Sequence, residues 1–466
     1  MINIITVKKI KNDNSYIYFL YIYYIKLIQN YNMMKKLLYL LLIVPFISNA
    51  QFWTEKATTF ATASRGVNSI SIVDANNVWA KSYDGSGGAD QTVKEYTRSS
   101  DGGNTWTSGT MGLGLGTAGL GIGNISAVSG TTAWVSAFPA TGNLGGIWKT
   151  TNGGTSWTKQ TTASFNTGTD SFTNWVHFFD ANNGVCQGDP ASGYFEIYTT
   201  SNGGTTWTRV PSANIPAPLA AGEYGITNLF EFSAGTIWFG TDAGRLYKST
   251  NMGLNWTVAT TPSSNLGADS FTFKDANNGL ILKADGNMYK SVDGGVTWSA
   301  QTFSGPIFLG DITYVPGTSR VVCTGAATAG SSYSLDNGLT WVGVDTVQHL
   351  QVEFLNTTTG FTGGFNTSAT VSGISKYTGT ALPRESFEAN GFSVYPNPVN
   401  DNFTIQNGNN IAISGLTISD INGRTVKAIN VNAIENQINI SDLNSGVYFL
   451  NITSEKGTAT KKIIKN

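Results

Sequence analysis

Two glutamates and a histidine stand at matching places in three stretches of alternating character, Val176-His177-Phe178, Phe230-Glu231-Phe232 and Val352-Glu353-Phe354. Two carboxyl groups can hydrolyse a glycosidic bond when they flank it at roughly 5 to 9.5 Å. The same groups beside a histidine can instead hold a cation or a polar ligand. Four more stretches align with these three, and their matching residues are Ser71, Ser126, Thr272 and Thr313, so the row is polar in all seven. Two residues earlier stand Ser69, Asn124, Trp175, Leu229, Ser270, Asp311 and Gln351. Trp175, His177, Glu231, Asp311 and Glu353 are therefore the candidate ligand-binding set. The competing reading is that the row is merely wetted by solvent.

Such alternation belongs to strands, whose side chains point to opposite faces at a period of two. The apolar neighbours would face a core and the polar row a water-filled space. What must position these strands is visible in a second pattern, S/T-x-D/N-x-G-x-x-W, which occurs six times with its acidic or amide residue at Asp101, Asn152, Asn202, Asn251, Asp293 and Asp336. The intervals are 51, 50, 49, 42 and 43 residues. A period near 40 to 50 residues that holds several short strands is the mark of a β-propeller. The octet resembles the Asp-box, or bacterial neuraminidase repeat. Its chemistry is that of a turn: the Asp or Asn side chain accepts following N–H groups, glycine supplies positive φ, and Trp106, Trp157, Trp207, Trp256, Trp298 and Trp341 cover the hairpins. These twelve residues are expected to be structural.

A second recurring unit precedes each box, as in SISIVDANNVWA (69–80) and SFTFKDANNGLIL (270–282), and a seventh copy, QVEFLNTTTGFTG (351–363), has no box after it. Its missing outer strand is matched by Phe52-Trp-Thr-Glu-Lys-Ala-Thr-Thr59, which resembles the strands that follow the boxes. The expectation is an all-β chain: a seven-bladed propeller over 51–380 closed by its terminal strand, then a linker at 381–391 and a small Ig-like β-sandwich at 392–466. Six blades with an accessory strand pair is the other arrangement.

The final module carries Tyr395-Pro396-Asn397-Pro398, Gly446-Val-Tyr-Phe449 and a tail beginning Lys461-Lys462. These closely resemble the C-terminal sorting domain of type IX secretion cargo. The resemblance implies a Bacteroidota-type host, handling by the type IX machinery, and a secreted or outer-membrane-surface destination. At the other end, residues 34–50 read as a signal peptide with two lysines, an apolar stretch and a small-residue end. Residues 1–33 read as an upstream extension ahead of a start at Met34. Eleven apolar residues are too few for a transmembrane anchor.

With 12% charged residues and a net charge of −1, a nucleic-acid partner is excluded. The two cysteines, Cys186 and Cys323, are expected as buried free thiols. No metal pattern exists with only two histidines, and no cofactor is implied; Gly114-Leu-Gly-Thr-Ala-Gly119 lacks the βαβ context of a dinucleotide site. The Asp-box also occurs in sialidases, which need an arginine triad, but here only Arg65 and Arg245 fall on the face that carries the long inter-blade loops. Arg98, Arg209 and Arg320 fall elsewhere. The architecture looks more like the photosystem II stability and assembly factor family, whose propellers bind and do not catalyse. The expected function is thus a secreted or surface propeller that binds a protein or polysaccharide, with no catalytic residue; the alternative is a glycan-active hydrolase. The glutamates are expected on nearly opposite blades, too far apart for a glycosidase pair, and the ligand on the long-loop face or at the channel mouth.

Overall fold

The computed structural model describes residues 52–88, 90–140, 145–165, 171–220, 222–379, 392–407, 413–420, 424–429, 435–454 and 457–466. The expected extension at 1–33, leader at 34–50 and linker at 381–391 lie outside them. Among the described residues the secondary structure is β-strand with two single-turn 3-10 helices.

Five four-stranded antiparallel sheets follow one another, over 120–159, 173–209, 225–260, 270–300 and 311–345, each with its strands in chain order. An eight-stranded sheet holds the rest of this region and divides naturally in two. One half is Arg65–Ile72, Val78–Asp84, Glu95–Ser99 and Thr107–Thr110; the other is Val352–Phe354, Gly360–Ser368, Val371–Tyr377 and Trp53–Ala57, and the halves meet through the single pair Gly66 and Phe365. Trp53–Ala57 pairs antiparallel with Val371–Tyr377, Trp53 opposite Tyr377. The strand at the start of the chain therefore supplies the outer strand of the sheet at the end of this region. Many small antiparallel sheets in succession are what a propeller requires.

Each octet forms the hairpin between third and outer strands, and the bonds explain the composition. In the box at 291–298, Asp293 Oδ1 accepts the N–H groups of Val296 at 3.0 Å and Thr297 at 2.9 Å, while Ser291 Oγ accepts that of Gly295 at 2.8 Å. Gly294 stands at φ +77°, where a side chain would be strained, and its N–H donates to Asn277 O at 2.7 Å. That acceptor belongs to the Asp-Ala-Asn-Asn turn of the same sheet, in which Asp275 Oδ1 accepts the N–H groups of Asn277 and Asn278, each at 2.9 Å. Gly102 to Asn76 and Gly203 to Asn182 repeat the link. The two recurring sequence units thus lie side by side at one end of the sheets.

Large rings seal neighbouring sheets. Trp238 stacks on Phe273 with centroids 3.9 Å apart, and Trp134 on Phe178 at 3.5 Å. Both cysteines are free and buried. The C-terminal region has two antiparallel sheets, one of Phe392–Tyr395, Asn402–Asn407 and Glu435–Asn439, the other of Thr425–Ile429, Ile413–Ser419, Gly446–Ser454 and Gly457–Lys465. They share one apolar core that includes Phe403, Ile405, Leu416, Ile418 and Leu450. Asn397 ties the Tyr395–Pro398 turn to the last strand, donating to Lys462 O and accepting from Ile464 N–H, each at 2.9 Å. Gly446 opens the strand opposite Lys465, and Lys461 and Lys462 pair with Leu450 and Phe449.

Candidate functional site

The innermost strand of a propeller sheet is an edge, with N–H groups that no strand pairs. Here the polar row answers that need. Ser69 and Ser71 accept the N–H groups of Ile125 (3.2 Å) and Ala127 (2.9 Å) of the next sheet, and Asn124 and Ser126 those of Val176 and Phe178, both at 2.9 Å. Glu231 Oε1 accepts from Phe273 at 3.3 Å, Thr272 from Tyr314, Asp311 Oδ2 from Val352 and Gln351 from Ile70, the last three at 2.9 Å. These side chains, drawn from the polar row and from the positions two residues before it, bridge six seams between neighbouring inner strands among the described residues.

Among the described residues no such bond crosses the seam between Thr173–Phe178 and Gly225–Ser233; aromatic rings fill it instead. Trp175 stacks on Phe230 at 4.9 Å and is fully buried, its indole N–H without a partner. His177 packs against Phe179 (4.9 Å), Phe230 (5.5 Å) and Phe232 (4.8 Å). Its Nε2 is shielded and unpartnered, and burial pulls the imidazole down to about 4, so it is neutral at pH 7. The Gly225–Ser233 strand breaks register between Gly225 and Phe230, and Asn228, at φ +60°, reaches Asn68 O at 2.9 Å. Phe230, Glu231 and Phe232 all line the central space, as Ser69 to Ile72 and Asn124 to Ala127 do from their own strands, and Phe232 is 38% exposed.

That space is a cavity of about 650 Å³. Its wall takes in His177, Phe179, Asp180, Phe230, Glu231, Phe232 and Glu353, and it continues past the inner strands to Val73, Val128, Pro316 and Leu355 beside the box-face turns. The cavity thus reaches the face opposite the long loops. Trp175 and Asp311 do not line it; one is core and the other is held by backbone N–H groups. Both glutamates line the cavity, and Glu353 is among the causes that hold Glu231 well above the usual carboxylate range, after burial itself. Burial, with the nearby Asp311, pushes Glu353 to about 8; Asp311 is itself raised by burial to about 6, against the pull of its two N–H donors. Glu353 accepts no hydrogen bond among the described residues. At the rim Asp180 is held below the usual range by Asn183 and by backbone N–H groups, and stays ionised.

The loop-face arginines are engaged. Arg65 Nε lies 2.6 Å from Glu95 and Nη1 3.5 Å from Asp84, and Arg245 Nη1 lies 2.9 Å from the fully buried Glu223. Glu223 also accepts from Thr241 and from Leu219 N–H, which fastens the long loop over 210–227. Arg98 and Arg209 donate to the carbonyls of Gly130 and Ala191. Of the cavity residues, Phe179, Phe232 and Asp180 were outside the candidate set. The signal that marks them is their place just after the polar row, at the start of the box-face turns.

Fold and cavity together define a β-propeller-like protein with a central well. A family model described as the secretion system C-terminal sorting domain matches residues 393–466, which directs the chain to the cell surface or beyond. Among solved structures, YCF48 bound to D1 peptide and YCF48 from Cyanidioschyzon merolae each align with a TM-score of 0.51 at 16% identity, over 70% of this chain and 97% and 98% of theirs. PorZ, a surface component of the type-IX secretion system of Porphyromonas gingivalis, aligns at 0.42 and 14% identity over 85% of this chain and 59% of its own. No curated protein matches significantly. Among the described residues no helix is long and apolar enough to cross a membrane.

Proposed function

We propose that residues 51–380 form a seven-bladed Asp-box propeller, closed by its first strand and exported under the type IX sorting domain at 392–466 behind a leader at 34–50. In this reading Ig-like best describes the sorting domain, and the six boxes with their tryptophans are frame. The propeller acts as a non-catalytic receptor: a protein or polysaccharide docks on the box face and places one group in the central well. His177, Glu231 and Glu353, with Phe232, are the contacting residues; Trp175 and Asp311 position them.

The state of the two glutamates carries this reading over the hydrolase alternative. A glycosidase needs one carboxyl ionised and the other protonated. Here burial holds both upward, and among the described residues no arginine lines the well to bind an anionic sugar. The test is to incubate the secreted full chain with polysaccharides, sialosides and cell-surface protein extracts, scoring retention and new reducing ends together. Retention without product supports a receptor; turnover would replace it with the hydrolase.

A further inference from the structure

We infer that the well takes an organic ammonium ion on an aliphatic stem, such as the side chain of a lysine. This deepens the receptor reading and rests on it. Among the described residues no lysine or arginine lines the cavity, so an anion finds no counter-charge there. Two carboxyl groups, Glu231 and Glu353, line it, and a third carboxylate, Asp180, stands at its rim. One side is a wall of rings: Phe179 and Phe232 lie 5.1 Å apart and both touch the His177 ring, with Phe230 behind. A carboxyl opposite an aromatic wall is the arrangement that holds a soft cation, by charge on one side and by ring faces on the other. A hard metal ion is a poorer fit, because it needs several oxygens at once. Among the described residues no three Asp, Glu, His or Cys side chains are placed to share one.

The titratable groups around the well are His177, Asp180, Glu231, Tyr314 and Glu353, with Asp311 close behind. His177 is neutral and Tyr314 is kept protonated by burial, so neither supplies a positive charge at pH 7. An entering ammonium ion meets Glu353, which burial and Asp311 push to about 8 in the empty well, and its charge favours ionisation of that carboxyl. Binding is then coupled to release of about one proton, and affinity rises up to about tenfold per pH unit between pH 6 and 8.

The experiment titrates the full chain calorimetrically with n-pentylammonium and with the capped tripeptide acetyl-Gly-Lys-Gly-amide, against 1-pentanol and the norleucine tripeptide, in two buffers of different ionisation enthalpy. Both cations are expected to bind with proton release, and the neutral isosteres not to bind. Glu353→Gln should flatten the pH dependence, whereas Phe232→Ala should weaken binding about five- to thirtyfold and keep it. A peptide that binds at least as well as the free amine identifies a protein lysine as the source; binding of the amine alone identifies a small amine. Equal binding of the isosteres, or a pH dependence unchanged in Glu353→Gln, overturns the proposal. If neither cation binds while the full chain still retains a ligand from the panel, the ammonium inference falls and the receptor reading stands. If nothing is retained either, both fall.

Discussion

Replacing Glu353 by Gln removes the one well carboxyl that has no hydrogen-bond donor among the described residues, and its effect on stability is set by linkage. Burial and Asp311 raise this group from 4.5 to about 8 in the folded chain, so the native state favours the protonated form. Below pH 4.5 both folded and unfolded chains carry the proton, and the shift has no consequence. As pH rises from there, the unfolded chain ionises first, and the native state loses about 1.4 kcal/mol per unit until its own pKa is passed. The full interval gives an upper limit of about 5 kcal/mol, and water in a half-open cavity reduces it to about 2 to 3. Glu353→Gln should thus match the parent near pH 4.5 and exceed it by about 2 kcal/mol or more at pH 8. Urea denaturation followed by tryptophan fluorescence isolates the effect, because all twelve tryptophans lie between Trp53 and Trp341 and none in the sorting domain. A stability difference that stays constant across pH 5 to 8 would refute the argument, since it would mean that the carboxyl titrates alike folded and unfolded.

Three further outcomes are expected. Lys81 is buried, donates to Ile122 O at 2.8 Å and is pulled by burial to about 7, so its charge opposes folding increasingly as pH falls from 10.5 to 7; Lys81→Met should gain about 2 kcal/mol at pH 7 relative to pH 9.5 by the same denaturation assay. Asp293→Ala, which strips the acceptor from Val296, Thr297 and Ser291, should cost about 1 to 3 kcal/mol while leaving ligand retention unchanged; Asp293→Asn should cost under about 1, since Asn152 serves its box by accepting from Ser156 N–H and donating to Ser156 Oγ. Trp53→Ala removes a buried ring and its bond to Ser331 at 3.0 Å, and should lower stability by about 3 to 5 kcal/mol, which differential scanning calorimetry can read.

Turn chemistry is local, and this is why the octets and the Asp-Ala-Asn-Asn units could be read at all: Asp293 bonds no farther than four residues away. The pairing of Trp53–Ala57 with Val371–Tyr377 was legible for a related reason, because a strand absent from one repeat and surplus at the other end must combine. What escaped the reading is decided between sheets. Nothing around Asn228 announces a residue at positive φ whose side chain reaches Asn68 O, 160 residues away in the chain. Trp175 looks like a ligand platform in sequence and is core, because the neighbouring Phe230 takes its face.

The capping ring also separates what the fold requires from what it does not. Ser71, Ser126 and Thr272 show that one hydroxyl suffices to satisfy the N–H group of the next inner strand. A glutamate at the same position is larger, harder to bury and, at 353, makes no such bond among the described residues. Its folded state disfavours the charge it would carry in water, so the group lowers the stability of the sheet that presents it. Glu231 does cap Phe273 N–H, but with one oxygen where a threonine would serve, and the charge of Glu353 acts against its ionisation. Two acids at positions where other inner strands carry serine or threonine are features that the capping bonds do not require. The ammonium ion proposed for the well would account for them.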